Sequence, residues 1–283
     1  LTTLDTSGWT LSAVTNASYM FSSCSQLTTL DTSGWTLSAV TNASFMFSSC
    51  SKLTSLDTSG FNFTKVTSLR QTFYNCNSLS SINCSNIKIS NLCSNFDSTF
   101  YGCSLITSLD LSTWDLSSAQ TTAAMFAYCD NLNEINMSNW DLSTCKVIYR
   151  MFYKCYNLQY IDMGSFSSAS TDLRESFYEA CRDADNVEID LSNIDTQSIS
   201  GIYINNAFSL CADNSINAKI KWSNNNATVA MPLIAQSFYN SKFITSGTNH
   251  KVYVPDHLYD TYKTMTNWSQ VYAAGNLEYQ SNW

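Results

Sequence analysis

The chain has 283 residues, of which only 13% are charged, and its formal net charge at pH 7 is −8. An acidic chain without a basic run is a poor partner for a nucleic-acid backbone, which needs clustered Lys and Arg. No apolar stretch approaches the roughly 20 residues that a membrane-spanning helix requires. No charged-then-apolar leader stands at the N-terminus, but we interpret the chain as a fragment of a longer array, so this does not argue against secretion.

A frame of about 26 residues recurs along the chain and is complete at 46–59, which reads MFSSCSKLTSLDTS. Its phenylalanine returns every 25 to 27 residues as far as Phe177, and then after 31 and 30 residues. The positions are Phe21, Phe47, Phe73, Phe100, Phe126, Phe152, Phe177, Phe208 and Phe238. Such a period predicts a solenoid, in which each unit buries its apolar face against its neighbours. We predict about nine units over residues 1–240, with looser spacing after 181, and a C-terminal cap over 241–283.

The sequence of each unit predicts three segments, which form three sides, or walls, of the solenoid. The alternation of apolar and polar residues over 108–112 indicates a strand with one buried side, and strands of successive units would form a parallel sheet. Residues 124–129 predict a short helical turn on the opposite side, and residues 140–143 form the third wall. The expected fold class is a right-handed α/β repeat solenoid with a parallel β-sheet on one face and helical turns on the other.

The last residues predict a strand-helix cap. Residues 251–254 resemble a final strand, which Pro255 ends. Residues 256–272 then place apolar side chains near one face of a helix. We expect this helix to cover the open end of the sheet, which would otherwise expose apolar side chains and unpaired backbone.

Eight of the eleven cysteines share one column of the repeat, three or four residues after the phenylalanine. They are Cys24, Cys50, Cys76, Cys103, Cys129, Cys155, Cys181 and Cys211. A column position predicts a ladder of free, buried thiols rather than a disulfide framework, because Cys packs as a small hydrophobe. The chain has no paired C-x-x-C or Cys-His spacing for zinc, so we predict no metal site.

An acidic column is the first candidate for a binding site. It comprises Asp5, Asp31, Asp57, Asn83, Asp110, Asn136, Asp162 and Asp190. Stacked carboxylates could bind calcium through oxygen ligands. Alternatively, each side chain caps its own turn by accepting a hydrogen bond from the serine that follows. We favour the second interpretation, because Asn replaces Asp at two positions and charge is therefore not required.

Variation on the exposed side of the strands is the second candidate. The position two residues before the acidic column is small in the first five units, at Thr3, Thr29, Ser55, Ser81 and Ser108, and then becomes Glu134, Tyr160 and Glu188. We therefore predict a ligand-binding surface formed by Glu134, Asn136, Tyr160, Asp162, Glu188, Asp190 and Asp110. The alternative is a solvated surface whose sequence has drifted.

Two further groups of residues have competing interpretations. Tyrosines beside the Phe and Cys columns could offer platforms for sugars or protein hot spots, or they could pack as a ladder along the convex side, which we favour. They are Tyr74, Tyr101, Tyr128, Tyr153, Tyr156 and Tyr178. The two histidines, His250 and His257, have no partner at a catalytic spacing, so we predict no enzyme activity and no cofactor.

The frame F-x-x-C-x-x-L-x-x-L, at Phe47, Cys50, Leu53 and Leu56 and their equivalents, resembles the BspA-like subclass of leucine-rich repeats. The resemblance extends from Leu1 to about Phe238 and is strengthened by Asp57 and its equivalents, which in residues 30–35 belong to the full form L-D-x-S-x-W. It implies a monomeric, secreted or cell-surface bacterial protein, adhesin-like, that binds a host protein, a neighbouring cell or a glycan. Two alternatives remain: a structural spacer without a ligand, and a receptor-binding protein of a phage or other mobile element. The resemblance implies no catalytic residues.

Overall fold

The computed structural model describes residues 1–137, 139–167, 172–195, 205–222 and 237–283. Within these ranges the chain is a parallel β-solenoid of about nine turns, here called coils, with few helices and a C-terminal strand-helix end. The predicted fold class is therefore confirmed. The segments 196–204 and 223–236 of the predicted array lie outside the described residues.

The strands are short and follow the repeat. In chain order they are β1 (Thr3–Leu4), β2 (Thr29–Leu30), β3 (Ser55–Leu56), β4 (Asn62–Phe63), β5 (Ser81–Ile82), β6 (Lys88–Ile89), β7 (Ser108–Asp110), β8 (Glu134–Asn136), β9 (Asp141–Leu142), β10 (Tyr160–Asp162), β11 (Ser165–Ser167), β12 (Asn186–Leu191), β13 (Ile194–Asp195), β14 (Asn217–Trp222), β15 (Asn249–Val254) and β16 (Leu277–Tyr279). Short 3-10 helices occur at Cys84–Asn86, Lys242–Ile244, Asp256–Leu258 and Gln280–Asn282.

The first wall is a parallel sheet that the structure divides into ladders. Strands β10, β12, β14, β15 and β16 form one five-stranded ladder, preceded by the pairs β1–β2, β3–β5 and β7–β8. The register joins equivalent positions of successive coils, as in Leu109 opposite Ile135 and Ile161 opposite Ile189. These apolar residues are buried while their neighbours in sequence are more exposed, so the predicted alternation is confirmed.

The remaining two walls are also held by contacts between equivalent residues. The third wall contains the parallel ladders β4–β6 and β9–β11–β13. On the opposite side, single bridges connect one residue per coil in the order Asn16, Asn42, Ser68, Asn95, Thr121, Val147 and Asp172. Each coil therefore makes backbone contacts with its neighbours on three sides.

The predicted helical turns take the form of consecutive hydrogen-bonded turns. In the coil at 122–129, the Met125 and Ala127 amides donate to carbonyls three residues earlier, at 3.1 and 3.2 Å. The alternate amides of Ala124 and Tyr128 donate instead to the next coil, at 2.7 and 2.8 Å. Ala124 and Tyr128 have φ angles of 51° and 60°, so the chain cannot continue as a right-handed helix there.

The core is a set of stacked columns. All nine predicted phenylalanines form one continuous stack from Phe21 to Phe238, with successive ring centroids 5.0 to 6.0 Å apart. All eleven cysteines are free, and every one except Cys24 is buried. Because each coil buries its rings only against neighbouring coils, the array has no separate central core.

The C-terminal end contains two helices rather than the single helix expected over 256–272. These are α1 (Tyr259–Thr264) and α2 (Trp268–Ala273), separated where Asn267 has a φ of 71°. Trp268 of α2 packs edge-on against Trp222 at a centroid distance of 5.2 Å, so the helices cover the end of the apolar core. The chain then adds a further strand, β16, that pairs with β15, and Tyr259 of α1 stacks on Tyr279 of β16 at a centroid distance of 4.0 Å.

Candidate ligand-binding face

The seven predicted ligand-binding residues lie on one surface, the outward side of β7, β8, β10 and β12, which we call the sheet face. The strand register places Asp110 opposite Asn136, Tyr160 opposite Glu188, and Asp162 opposite Asp190. The strands position these side chains because alternate residues of a strand point to the same side of the sheet. Asp162 and Asp190 are half-buried and the other five are exposed.

The acidic column mainly caps turns, as predicted. The Asp110 carboxylate accepts hydrogen bonds from the Ser112 backbone amide at 3.1 Å and from the Ser112 hydroxyl at 2.7 Å. These bonds hold the pKa of Asp110 below its usual value, with the Ser112 hydroxyl contributing most. Equivalent caps occur at Asp5, Asp31, Asp57, Asp162 and Asp190. Among the described residues, no group of three or more His, Cys, Asp or Glu side chains could hold a metal ion.

A depression lies in the sheet face between β8 and β10. Its volume is about 450 Å³, and it is lined by Asn133, Glu134, Ile135, Asn136, Gln159 and Tyr160. The backbone contact across it is long, since the Gln159 amide lies 3.4 Å from the Asn133 carbonyl oxygen. The next contact along the sheet, from the Glu188 amide to the Gln159 carbonyl, is 2.8 Å. The depression therefore coincides with a loosely bridged boundary between two ladders.

Tyr160 forms one side of this depression and is 48% exposed, although it is a large aromatic residue. Partial burial raises the pKa of its phenol, and the carboxylates of Asp162, Asp190 and Glu188 raise it further. The phenol therefore stays protonated at neutral pH and can donate a hydrogen bond. On the other side, the Asn136 amide donates to the Asp110 carboxylate at 3.1 Å, which fixes the orientation of Asn136.

The sheet face changes character beyond β12, which our sequence analysis missed. Lys219 lies opposite Glu188, and Lys221 lies 3.4 Å from the Asp190 carboxylate. The ring of Trp283 covers this region, with the two lysine nitrogens 5.6 and 5.7 Å from its centroid. The alternation of Asn217-Ala218-Lys219-Ile220-Lys221-Trp222 could have revealed these lysines, had the strand register been extended past Asp190.

The convex side carries the tyrosine ladder that we favoured. Five of the six predicted tyrosines contact one another in order, with centroids 4.8 to 5.4 Å apart: Tyr74, Tyr101, Tyr128, Tyr153 and Tyr178. The sixth, Tyr156, instead lies beneath the Arg182 guanidinium, 4.1 Å from the ring centroid. Arg150 lies 4.9 Å from the Tyr153 centroid and forms an ion pair with Glu175 at 2.7 Å. Since the rings contact one another and neighbouring charged groups, they form a packed layer rather than separate platforms.

Comparison with known proteins identifies a family without an assigned function. A family model described as "Mycoplasma protein of unknown function, DUF285" matches residues 2–108 and, in an overlapping second match, residues 83–187. No curated protein and no solved structure gave a significant match. Neither α1 nor α2, and no other helix of the described residues, has the length and apolar character needed to cross a membrane.

Proposed function

This chain belongs to the DUF285 family, and we propose that it is a secreted or cell-surface bacterial binding module, adhesin-like, that recognises a protein or glycan through the sheet face. One observation carries the proposal. The depression between β8 and β10 is lined by Asn136 and by Glu134 and Tyr160, and the latter two occupy the strand position that is small in the first five units.

The chemistry of this region supports a binding role. An exposed aromatic ring, three amide side chains and a carboxylate border one open depression. Aromatic residues with a polar group are enriched where proteins bind their partners, because they bury a large apolar area and retain a hydrogen bond. In the early units the equivalent exposed positions are hydroxyl residues such as Thr29 and Ser55, which offer far less contact area.

A structural spacer is the alternative function. A spacer needs coils that stack well, and an isolated exposed ring is common on protein surfaces. Tyr160 differs in bordering a depression lined by polar side chains, and this combination favours a binding role over a spacer. A receptor-binding protein of a phage or other mobile element would use the same surface, and the sheet face alone does not separate it from an adhesin.

Binding assays with matched variants test the proposal. The full chain is applied to an array of glycans and to a panel of host extracellular proteins, and any interaction is remeasured with Tyr160→Ala and with Glu188→Ala. We expect both substitutions to weaken binding. The control is Tyr19→Ala, which removes a tyrosine of the convex side that is 59% exposed, more than Tyr160. Unchanged binding by the Tyr160→Ala and Glu188→Ala variants would contradict the choice of surface. A complete absence of binding by the unmodified chain would favour the spacer.

A further inference from the structure

We infer that the depression between β8 and β10 is a carbohydrate site that takes a short, uncharged oligosaccharide. The inference rests on the proposed binding function and adds a ligand class and a location. It depends on three properties of the depression, namely the hydrogen-bonding groups of its lining, the exposed ring of Tyr160 and the distribution of charge.

The lining matches the hydroxyl groups of a sugar. Asn133, Asn136 and Gln159 each carry an amide, which has two N–H donors and a carbonyl acceptor, although one N–H of Asn136 is already donated to Asp110. A sugar hydroxyl both donates and accepts, so an amide can satisfy both functions of the same group. Glu134 adds an acceptor for hydroxyl donors. A lining dominated by amides therefore suits a ligand rich in hydroxyl groups better than a ligand whose polar groups only donate or only accept hydrogen bonds.

Tyr160 supplies the apolar contact that a sugar ring needs. Its side chain is 48% exposed and borders the depression, so part of the ring is available to a ligand. The C–H face of a pyranose can lie against such a ring, while the protonated phenol donates a hydrogen bond at the edge. The volume of about 450 Å³ is within the usual range for small-molecule sites.

The charge distribution favours an uncharged sugar. Among the described residues, the lining of the depression contains one carboxylate, Glu134, and no Lys or Arg. Asp162 and Glu188 lie beside Tyr160, close enough to raise its pKa, so they also repel an anionic ligand. The two lysines of β14 are engaged elsewhere, since Lys221 pairs with Asp190 and both Lys219 and Lys221 lie near the Trp283 ring. Sialylated and sulfated glycans are therefore disfavoured.

A basic peptide is the competing occupant, because an arginine could stack on Tyr160 and pair with Glu134. Most of the polar side chains that line the depression are amides, and this favours the sugar, because Asn133, Asn136 and Gln159 add no charge that would attract a cation. The two occupants also differ in their salt dependence. A charged peptide should bind more weakly as salt rises, whereas an uncharged sugar should be almost insensitive to salt.

The test uses the full chain and defined probes. Neutral di- to tetrasaccharides of hexoses and N-acetylhexosamines, their sialylated and sulfated counterparts, and an Arg-rich peptide are compared on an array. The neutral hits are then measured by titration calorimetry at low and high salt. We expect Tyr160→Ala to weaken binding about tenfold or more, and Glu134→Gln and Gln159→Ala by about three- to tenfold, as for central contacts of a binding site. Tyr160→Phe should retain most of the affinity, and Tyr19→Ala should retain all of it.

The possible results separate the sugar site from the broader function. Binding of a protein or of the Arg-rich peptide that Tyr160→Ala abolishes, without any neutral sugar binding, would overturn the carbohydrate site but support the binding face. A preference for sialylated or sulfated sugars would also overturn it. Neutral sugar binding that is unchanged in Tyr160→Ala would place the site elsewhere. No binding to these probes would overturn the carbohydrate site, and no binding to the panel of host proteins either would contradict both proposals. Circular dichroism and thermal unfolding of each variant confirm that its fold is intact.

Discussion

The thiol of Cys103 donates a hydrogen bond to the backbone carbonyl of Phe73, one coil earlier, with 3.1 Å between Sγ and O. The same contact recurs along the column at 3.0 to 3.2 Å, from Cys50 to Phe21, Cys76 to Phe47, Cys129 to Phe100 and Cys155 to Phe126. The Phe73 carbonyl also accepts the Cys76 backbone amide at 3.2 Å. The repeated contact along the column therefore connects each coil to the preceding one inside the core.

Removing one of these thiols should destabilise the array by a moderate amount. We expect Cys103→Ala to lower the free energy of unfolding by about 1–3 kcal/mol, because a buried group is deleted from a well-packed site and a weak hydrogen bond is lost. The Phe73 carbonyl keeps the Cys76 amide, so no buried acceptor is left without a partner. Urea unfolding measures the change. Cys24→Ala is the control and should have a smaller effect, because Cys24 is only half-buried; equal losses would contradict a contribution from burial.

The same burial should make the thiols chemically inert in the folded protein. Burial raises the pKa of Cys50 and of Cys93 to about 12, which leaves almost no thiolate at mildly alkaline pH. We expect an alkylating reagent to modify Cys24 first in the native protein, whereas all eleven cysteines should react in concentrated guanidinium chloride. Mass spectrometry of peptides identifies the modified positions. Modification of Cys103 as fast as Cys24 in the native protein would contradict the buried ladder.

The repeat made most of the fold predictable, because each column position is specified many times. The Phe stack, the free thiols and the Asp110 cap all follow from residues that recur at one period. The features that were not predicted lie where the spacing of the repeat changes or the repeat ends. Lys219 and Lys221 lie beyond the wider spacing after Phe177, and the interruption of the helix at Asn267 depends on a local backbone conformation. The depression beside Tyr160 could not be predicted, since it depends on a slight widening between two coils, where the Gln159 amide lies 3.4 Å from the Asn133 carbonyl oxygen.

Two glycines at equivalent positions of successive coils should respond differently to substitution. A Cβ at Gly60 would overlap the backbone carbonyl of Trp35, whereas a Cβ at Gly34 would meet nothing within 4 Å. Neither glycine has a positive φ, so the difference is one of space alone. We expect Gly60→Ala to destabilise the protein by about 1–3 kcal/mol through overpacking. Gly34→Ala should be neutral or stabilising by up to about 1 kcal/mol, because it reduces the entropy of the unfolded chain.

Thermal and urea unfolding of the two glycine variants provide the measurement, with circular dichroism to verify that both fold. The comparison controls for the intrinsic effect of replacing Gly by Ala, since both positions belong to the same column. Similar stabilities for Gly34→Ala and Gly60→Ala would contradict the close approach of the two coils at Trp35.

His250 should make the C-terminal end sensitive to mild acid. The side chain is buried, its Nε2 lies 2.9 Å from the Ala212 carbonyl oxygen, and its Nδ1 is buried without a hydrogen-bond partner. A carbonyl only accepts, so Nε2 carries the proton and Nδ1 is unprotonated. Burial lowers the pKa of His250 from its ordinary value of 6.5, and the nearby Lys242 lowers it further, whereas the Ala212 carbonyl and Asp213 act in the opposite direction.

Because the folded protein resists protonation of His250, the unfolded chain binds the proton first as the pH falls. Stability should therefore decrease from about pH 6.5 down to the lowered pKa of the folded state, by at most about 1.4 kcal/mol per pH unit, and this contribution should be constant below that pKa. We expect His250→Gln to remove the decrease, because glutamine does not titrate and can still donate to the Ala212 carbonyl. Urea unfolding between roughly pH 7.5 and 5.5 measures the slope, above the range in which most carboxylates titrate. His257→Gln is the control, since His257 is exposed, and it should keep the slope of the unmodified protein. If His250→Gln and the unmodified protein lose stability equally over this range, the buried neutral imidazole is not the cause.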